Sequence, residues 1–423
     1  MRNELKVIFS NTSLILSYLS LYFLFFKNYY NRFSLKPEYI FISIPLVWSI
    51  VSCLIYIIGW ERDSLWDINV VYCADLAYSL NLNPYTDWSD NPTCQESTPL
   101  QFTYLKLVLD VLPFSLFEYN FFEKLWVAFL AILLLIYAYI STKLFNLKTN
   151  IIFNIIFILV MFEGANIVAL QAGNISALVY LFVILAIFLY RNNRKKFYFF
   201  PLVALATFVK FHLGILLLIP FVLDDKFNLK GYSIFFAVLI GLFLLNYFIH
   251  GSFIAQWIEN LAYTDWGLKP WFSDLSILQP LWVNNMRDVE FNAIFKVLLA
   301  PLFVINLIYF KKIIANKFTD EETKDYLLVL CCLAFILILP RLKVYDFLII
   351  SCVTLKIYSD CIYSLFNKKK IVSYISLIIL LVFYSSITYW RPQWDGSNNS
   401  YYYCIAFYLL YQSLVYYRAK MLE

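Results

Sequence analysis

The chain has 423 residues, 62% of them hydrophobic, 20% aromatic and 14% charged. That much apolar surface cannot be covered by so little charge, which argues against a water-soluble globule. The net charge of +5 comes from short basic runs between apolar stretches, a pattern unlike a nucleic-acid-binding surface. Repeated apolar runs near the ~20 residues that cross a bilayer predict an all-α, polytopic transmembrane bundle. The 34 Tyr and 41 Phe suit lipid-facing helices and interfacial belts.

Arg2 and Lys6 precede an apolar stretch, Val7–Phe26, with no small-residue cleavage site after it. It reads as an additional span or as a helix lying in the interface. Lys27, Arg32 and Lys36 then precede a strongly apolar run, Tyr39–Trp60. Next comes an acidic loop, Glu61–Pro99, with seven carboxylates and one cation, Arg62. It is too long, acidic and aromatic for a plain connector, and reads as a binding site at the membrane surface. Cys73 and Cys94 share this loop and can pair if it faces an oxidising compartment. The other six of the eight Cys lie in apolar runs and read as packing residues.

Further spans are expected at about 122–141, 151–169, 175–190, 198–209, 212–224, 232–249, 288–308, 325–340, 347–365, 371–389 and 401–417. With Tyr39–Trp60 that makes twelve, or thirteen with the N-terminal stretch. The two short runs around Lys210 read better as a kinked or re-entrant hairpin with that lysine at its tip. Leu100–Phe117 contains Lys106, Asp110 and Pro113, and reads as a juxtamembrane helix. Counting it as a span would flip every later loop. The basic clusters at Lys143/Lys148, Arg191–Lys196, Lys226/Lys230, Lys311–Lys317, Lys368–Lys370 and Arg418/Lys420 then fall on one side, cytoplasmic by the positive-inside rule. The other side gathers the acidic loop, a QAGN turn (171–174), the Lys210 tip, the 251–287 loop and PRLKVYD (340–346). No repeat or separate soluble domain is evident. The whole chain, 1–423, reads as one membrane domain.

Asp67 is the leading candidate for chemistry. It lies just past Trp60, beside Trp66, where partial desolvation raises a carboxylate's pKa and suits a general base. The structural alternative is an N-cap for a helix beginning near Ile68. Asn83-Pro84-Tyr85 ends the following helix, and Tyr85 and Trp88 are able to stack on a sugar face or to serve as interfacial aromatics. Lys210 sits inside an apolar run, at a cost of about 2.5–3.5 kcal/mol unless it is paired. With His212, Arg341 and Lys343 it forms a set of cations suited to a lipid phosphate. Snorkelling to the interface is the alternative for each. Glu163, Gln171 and Asn174 flank an external turn, and either line a polar cavity or satisfy helix ends. His250 reads as a helix end.

DINVVYCADLAYSLNLNPY (67–85) resembles the first-loop signature of the glycosyltransferase-C alpha-1,2-mannosyltransferases, the group that includes the phosphatidylinositol-mannoside mannosyltransferases. Asp67, Tyr72, Pro84 and Tyr85 match it. QAGN is similar to that family's Gly-Gln-x-Asn turn, and FVKFHLGILLLIPFVL to its lysine-containing hairpin. SDLSILQPLW (273–282) is loosely similar to its Asn/Gln-Ser-Leu loop, and PRLKVYDFLII (340–350) to the start of a late span. The family's aromatic-Pro-Pro after the first loop is missing. The resemblance covers about 39–365, leaving 1–38 and 366–423 as flanking segments.

The resemblance implies an inverting transfer of a hexose, mannose in particular, from a polyprenyl-phosphate donor to a lipid or glycan acceptor on the non-cytoplasmic face. Asp67 would be the base. Lys210, His212, Arg341 and Lys343 would hold the donor phosphate. Tyr72, Asn83, Tyr85, Trp88, Gln171, Asn174, Tyr345 and Asp346 would contact substrate. No cofactor or metal is expected, because a polyprenyl phosphate already leaves readily. The expected location is a bacterial inner membrane with the site facing outward. A polysaccharide polymerase or ligase is the rival enzyme. A transporter would be expected to show two matching halves, and a non-catalytic scaffold would need neither Asp67 nor Lys210.

Overall fold

Apolar residues repeated at helical spacing produce helices throughout, and no strand occurs among the described residues. The computed structural model describes residues 65–85, 94, 104–111, 114–145, 147, 150–161, 163–191, 193–224, 227–265, 287–339, 344–366, 370–389 and 399–423. All of them belong to the compact unit Ser49–Glu423. The N-terminal stretch and the Tyr39–Trp60 run lie outside the described residues, as do Trp88, Arg341 and Lys343.

The local signals for these helices are conventional. The Asp320–Ile338 helix begins with a capping box: Thr319 Oγ1 accepts from Glu322 N at 3.2 Å, and Glu322 Oε2 accepts from Thr319 N at 3.0 Å. The Leu229–His250 helix is capped by Asn228, whose side-chain oxygen accepts from Gly231 N at 3.0 Å. The same Gly231 lets this helix approach the Phe199–Val209 helix, since a Cβ there would meet the Phe200 ring at 2.1 Å.

Burial follows membrane logic. Asp320–Ile338 is buried almost all round and is the central helix. Leu229–His250 is the reverse: Phe236, Ile240, Leu244, Leu245 and Phe248 face outward, while Asn246 and His250 are buried. An apolar exterior around buried polar groups is the arrangement lipid demands. By length and hydropathy, two described helices suffice to cross a membrane, Tyr119–Leu144 and Leu229–Glu259. The number rises to four if Ile151–Val160 with Ala165–Gln171, bent by 72°, and Tyr345–Ser351 with Thr354–Leu365, bent by 45°, each count as one.

The all-helical membrane fold therefore matches the expectation. Most expected spans in the described regions are helical, but several are broken or short, including Ser176–Arg191 and Phe211–Leu223. The breaks have local support: at the 72° bend, Asn166 Nδ2 donates to Leu159 O at 2.6 Å and Ile158 O at 3.3 Å, satisfying carbonyls the bend frees.

The Lys210 segment is a clasped hairpin. Its first arm is Phe199–Val209, and its return is a 3-10 turn, Phe211–Leu217, followed by Leu218–Leu223. Lys196 Nζ, before the first arm, lies 2.7 Å from Asp224 Oδ1, after the second. The two ends of the segment meet, so Lys210 is its far tip. Leu100–Phe117, expected as a juxtamembrane helix, is described in part. Its described part is a five-residue helix, Leu107–Val111, and a 3-10 turn, Phe114–Leu116.

Candidate functional site

The helix Trp66–Ser79 starts at Leu65, which sits in the left-handed region with φ 74° and contributes no side-chain cap. Asp67 therefore lies in the first helical turn, and the alternative reading of it as the N-cap of a helix starting near Ile68 does not hold. The N-terminal N–H groups are satisfied from elsewhere in the chain. Leu65 N donates to Gln171 O at 2.5 Å, and Asp67 N and Ile68 N donate to Ala172 O at 2.9 and 3.3 Å. Main-chain docking of the first loop onto the QAGN turn needs a tight approach. Gly173 provides it, with φ +66°, and an added Cβ would meet Ile68 Cγ2 at 2.8 Å and Leu65 Cδ2 at 2.9 Å. The Gly173 carbonyl also accepts from Trp126 Nε1 at 2.8 Å.

The Asp67 carboxylate is thus released from capping, and it takes a different partner. Asn174 Nδ2 donates to Asp67 Oδ2 at 2.6 Å. Asn174 Oδ1 in turn accepts from Ser176 N at 2.8 Å and from the Ser176 hydroxyl. Ser176 Oγ accepts from Lys210 Nζ at 2.5 Å. The ammonium also lies 3.4 Å from Asp346 Oδ1, which accepts from the Tyr180 hydroxyl at 2.9 Å. The Tyr345 ring centroid is 4.2 Å from Lys210 Nζ, close enough for a cation–π contact. One hydrogen-bonded chain therefore joins Asp67, Asn174, Ser176, Lys210, Asp346 and Tyr180.

Three of its members come from breaks in helices. Asn174 follows the bent Ile151–Gln171 pair, Lys210 is the hairpin tip, and Asp346 is in the 3-10 turn Val344–Phe347 that opens the other bent pair. Non-helical backbone inside a membrane protein is tolerated where it is buried in protein or lines a cavity. Lys210 is only 8% exposed and Asp346 only 2%. Asp67 is half-buried, and among the described residues its second oxygen accepts no hydrogen bond.

Of the residues singled out from sequence, Asp67, Asn174, Lys210, Tyr345 and Asp346 are brought together. Gln171 contributes its carbonyl to the docking. Three others hold the loop. Tyr72 is buried, stacks on Phe122 with centroids 5.5 Å apart, and donates to Phe117 O at 3.0 Å. Asn83 Oδ1 accepts from Tyr85 N at 2.9 Å, an Asx turn. Tyr85 is 2% exposed and donates to Tyr104 O at 3.1 Å, so its ring packs inward. Burial pushes the Tyr85 hydroxyl well above its ordinary pKa. His212 is on the turn after Lys210, edge-on to Phe211 with centroids 5.9 Å apart. Cys73 and Cys94 form a disulfide that ties the loop to its helix.

Ser176 and Tyr180 were missed. One signal was present: they lie four residues apart on one helix, and so share a face. A second cluster was also missed. Lys106 is buried with its ammonium 2.9 Å from the Tyr78 ring centroid and 4.3 Å from that of Phe253. Burial lowers its pKa to about 8, against the opposing pull of Asp110. His250, which does end its helix, pairs with Asp110, and Leu107 N donates to Asn246 Oδ1 at 3.0 Å. These contacts stitch the charged segment to the end of the Leu229–His250 helix.

The arrangement is a half-buried carboxylate with one oxygen held and, among the described residues, one open, linked to a buried cation. No curated relative matches the sequence. Residues 107–340, more than half of the chain, match glycosyltransferase family 87. The matched stretch contains Asn174, Ser176 and Lys210, and folding brings Asp67 and Asp346 to it from either side. The chain belongs to glycosyltransferase family 87, and is a membrane glycosyltransferase.

Proposed function

We propose that the protein transfers a hexose, mannose being the first choice, from a polyprenyl-phosphate carrier to a hydroxyl of a lipid or glycan acceptor. The observation that carries this reading is the hydrogen-bonded chain from Asp67 to Lys210. It supports a carboxylate and a cation acting on opposite sides of one reacting carbon.

In this reading the open oxygen of Asp67 takes the proton of the acceptor hydroxyl. The hydroxyl oxygen forms a bond to the anomeric carbon in line. The bond from that carbon to the phosphate oxygen breaks, and the lipid phosphate leaves with the electron pair. Lys210 stabilises the departing charge, with His212, Arg341 and Lys343 as further cations. A single displacement inverts the anomeric centre. Tyr345 packs against the ammonium, and Asp346 holds it in place until phosphate arrives.

The disulfide Cys73–Cys94 favours an oxidising, non-cytoplasmic side for the acidic loop. The segments expected to be cytoplasmic meet at the other end of the same helices, where Arg191 pairs with Asp325 and Lys196 with Asp224. A bacterial inner membrane with the site facing outward accommodates both.

The test is transfer by the purified protein from labelled polyprenyl-phosphate mannose and glucose, and from diphosphate-linked oligosaccharides, with the anomeric configuration of the product read by NMR. An inverted monosaccharide product from a monophosphate carrier is expected. Use of the diphosphate-linked oligosaccharides alone would instead identify a polymerase or ligase.

A further inference from the structure

Each link between Lys210 and Asp67 has a direction imposed by chemistry. An ammonium only donates, so Ser176 Oγ accepts from Lys210 at 2.5 Å. The Ser176 backbone N–H also only donates, so the Asn174 atom 2.8 Å from it is the amide oxygen. The Ser176 hydroxyl proton then points to that same oxygen. This leaves the Asn174 NH₂ group facing Asp67 Oδ2 at 2.6 Å, where a carboxylate accepts it. Reversing any one link would set two donors or two acceptors face to face.

Ser176 is the residue on which both halves of the chain depend. It is fully buried. Its N–H and O–H together stop the Asn174 amide from flipping, and its lone pair holds the ammonium. We propose that Ser176 is a positioning residue, fixing Asn174 as a donor to the base and setting the place of the base relative to the donor-phosphate cation. The proposal rests on the reading of Asp67 as base and deepens it. Ser176 itself touches no substrate. Its effect is to keep one Asp67 oxygen occupied, so that the other faces the acceptor.

The test uses the full-length protein in lipid nanodiscs, with labelled polyprenyl-phosphate mannose as donor. Ser176→Ala and the near-isosteric Ser176→Cys are assayed beside wild type, Asp67→Asn and the double variant Asp67→Asn/Ser176→Ala. Loss of a charge-assisted link predicts a fall in kcat of about 10- to 100-fold, with donor KM within about twofold, because Lys210 keeps its charge and Asp346. Once Asp67 is Asn, adding Ser176→Ala should change kcat little, since a coupled pair is not additive. A full further loss in the double variant would overturn the proposal and show a merely structural role. So would normal kcat in both single variants while Asp67→Asn is inactive. If Asp67→Asn itself turned over normally, the base assignment would fail first, and the two failures are thereby told apart.

Discussion

The two ends of the same helices use charge in opposite ways. Ser176–Arg191 has Ser176 in the Asp67–Lys210 chain at one end and Arg191 at the other. At the Arg191 end, cations close directly on carboxylates. Arg191 bonds Asp325 at 2.7 Å and Glu321 at 2.9 Å. Asp360 accepts from Lys356 at 2.7 Å, Tyr411 at 2.7 Å and Arg418 at 3.1 Å. At the Ser176 end, Lys210 lies 3.4 Å from Asp346 Oδ1 and is linked to Asp67 through two neutral groups, Ser176 and Asn174. Saturated pairs hold helices together. In the proposed mechanism the Lys210 ammonium instead meets an incoming anion. On the proposed reading, the difference separates architecture from a site.

Four substitutions break or sharpen that contrast. Asp67→Asn should have the largest effect on transfer. It keeps the shape and the Asn174 contact but accepts no proton, so turnover should fall about 10²–10⁴-fold, with the melting temperature unchanged. Near-normal turnover in this variant would remove the base.

Lys210→Met/Asp346→Asn should come second. The single Lys210 change would strand a buried carboxylate, so the double change isolates the lost cation. Donor KM should rise about 10- to 100-fold, the worth of a charge-assisted hydrogen bond. An unchanged KM would mean that Lys210 serves the fold.

Arg191→Ala should reverse the pattern. It leaves Asp325 buried without its main partner, at a cost of about 3 kcal/mol in stability. The kcat of the folded fraction should stay within twofold. A fall in kcat without a fall in thermal stability would erase the distinction between the two ends.

Asp75→Asn should be the smallest in activity, within twofold. Burial raises the Asp75 pKa, and Ser115 N, donating to it at 2.7 Å, offsets this only in part. Between its unfolded and folded values, Asp75 binds more proton folded than unfolded, so stability falls as pH rises through that window. The variant should therefore be more stable than wild type at neutral pH. The gain should vanish below about pH 4, where both states are protonated. Chemical denaturation across pH 4–8 reads this directly.

Much of this site was legible because charge is conspicuous in apolar sequence. Lys210 interrupts a run of aliphatic and aromatic residues, and Asp67 follows the apolar Tyr39–Trp60 run closely. Asn174 stands in a turn between two apolar runs, and Asp346 opens another. Ser176 and Tyr180 were not legible, because Ser and Tyr are ordinary in membrane helices and only tertiary contact gives them a role. The inward turn of Tyr72 and Tyr85 was hidden for a related reason: a loop aromatic looks alike whether it packs or binds. The broken spans were missed because apolarity measures length in sequence, not straightness. Near residue 162, no proline marks the bend, and the Asn166 side chain that supports it looks like any other polar residue.

The docking of Leu65 and Asp67 onto the carbonyls of Gln171 and Ala172 has a consequence for how such an enzyme can diversify. The proposed base is located by main-chain groups, and every residue but proline supplies the donating N–H. Substitutions elsewhere in the acidic loop, outside the holding residues Tyr72, Cys73, Asn83, Tyr85 and Cys94, are then expected to leave the carboxylate in place. Randomising 86–92 should yield a library whose members differ in acceptor preference while sharing one reaction centre. Changing Gly173, where no Cβ fits, should instead silence every member at once.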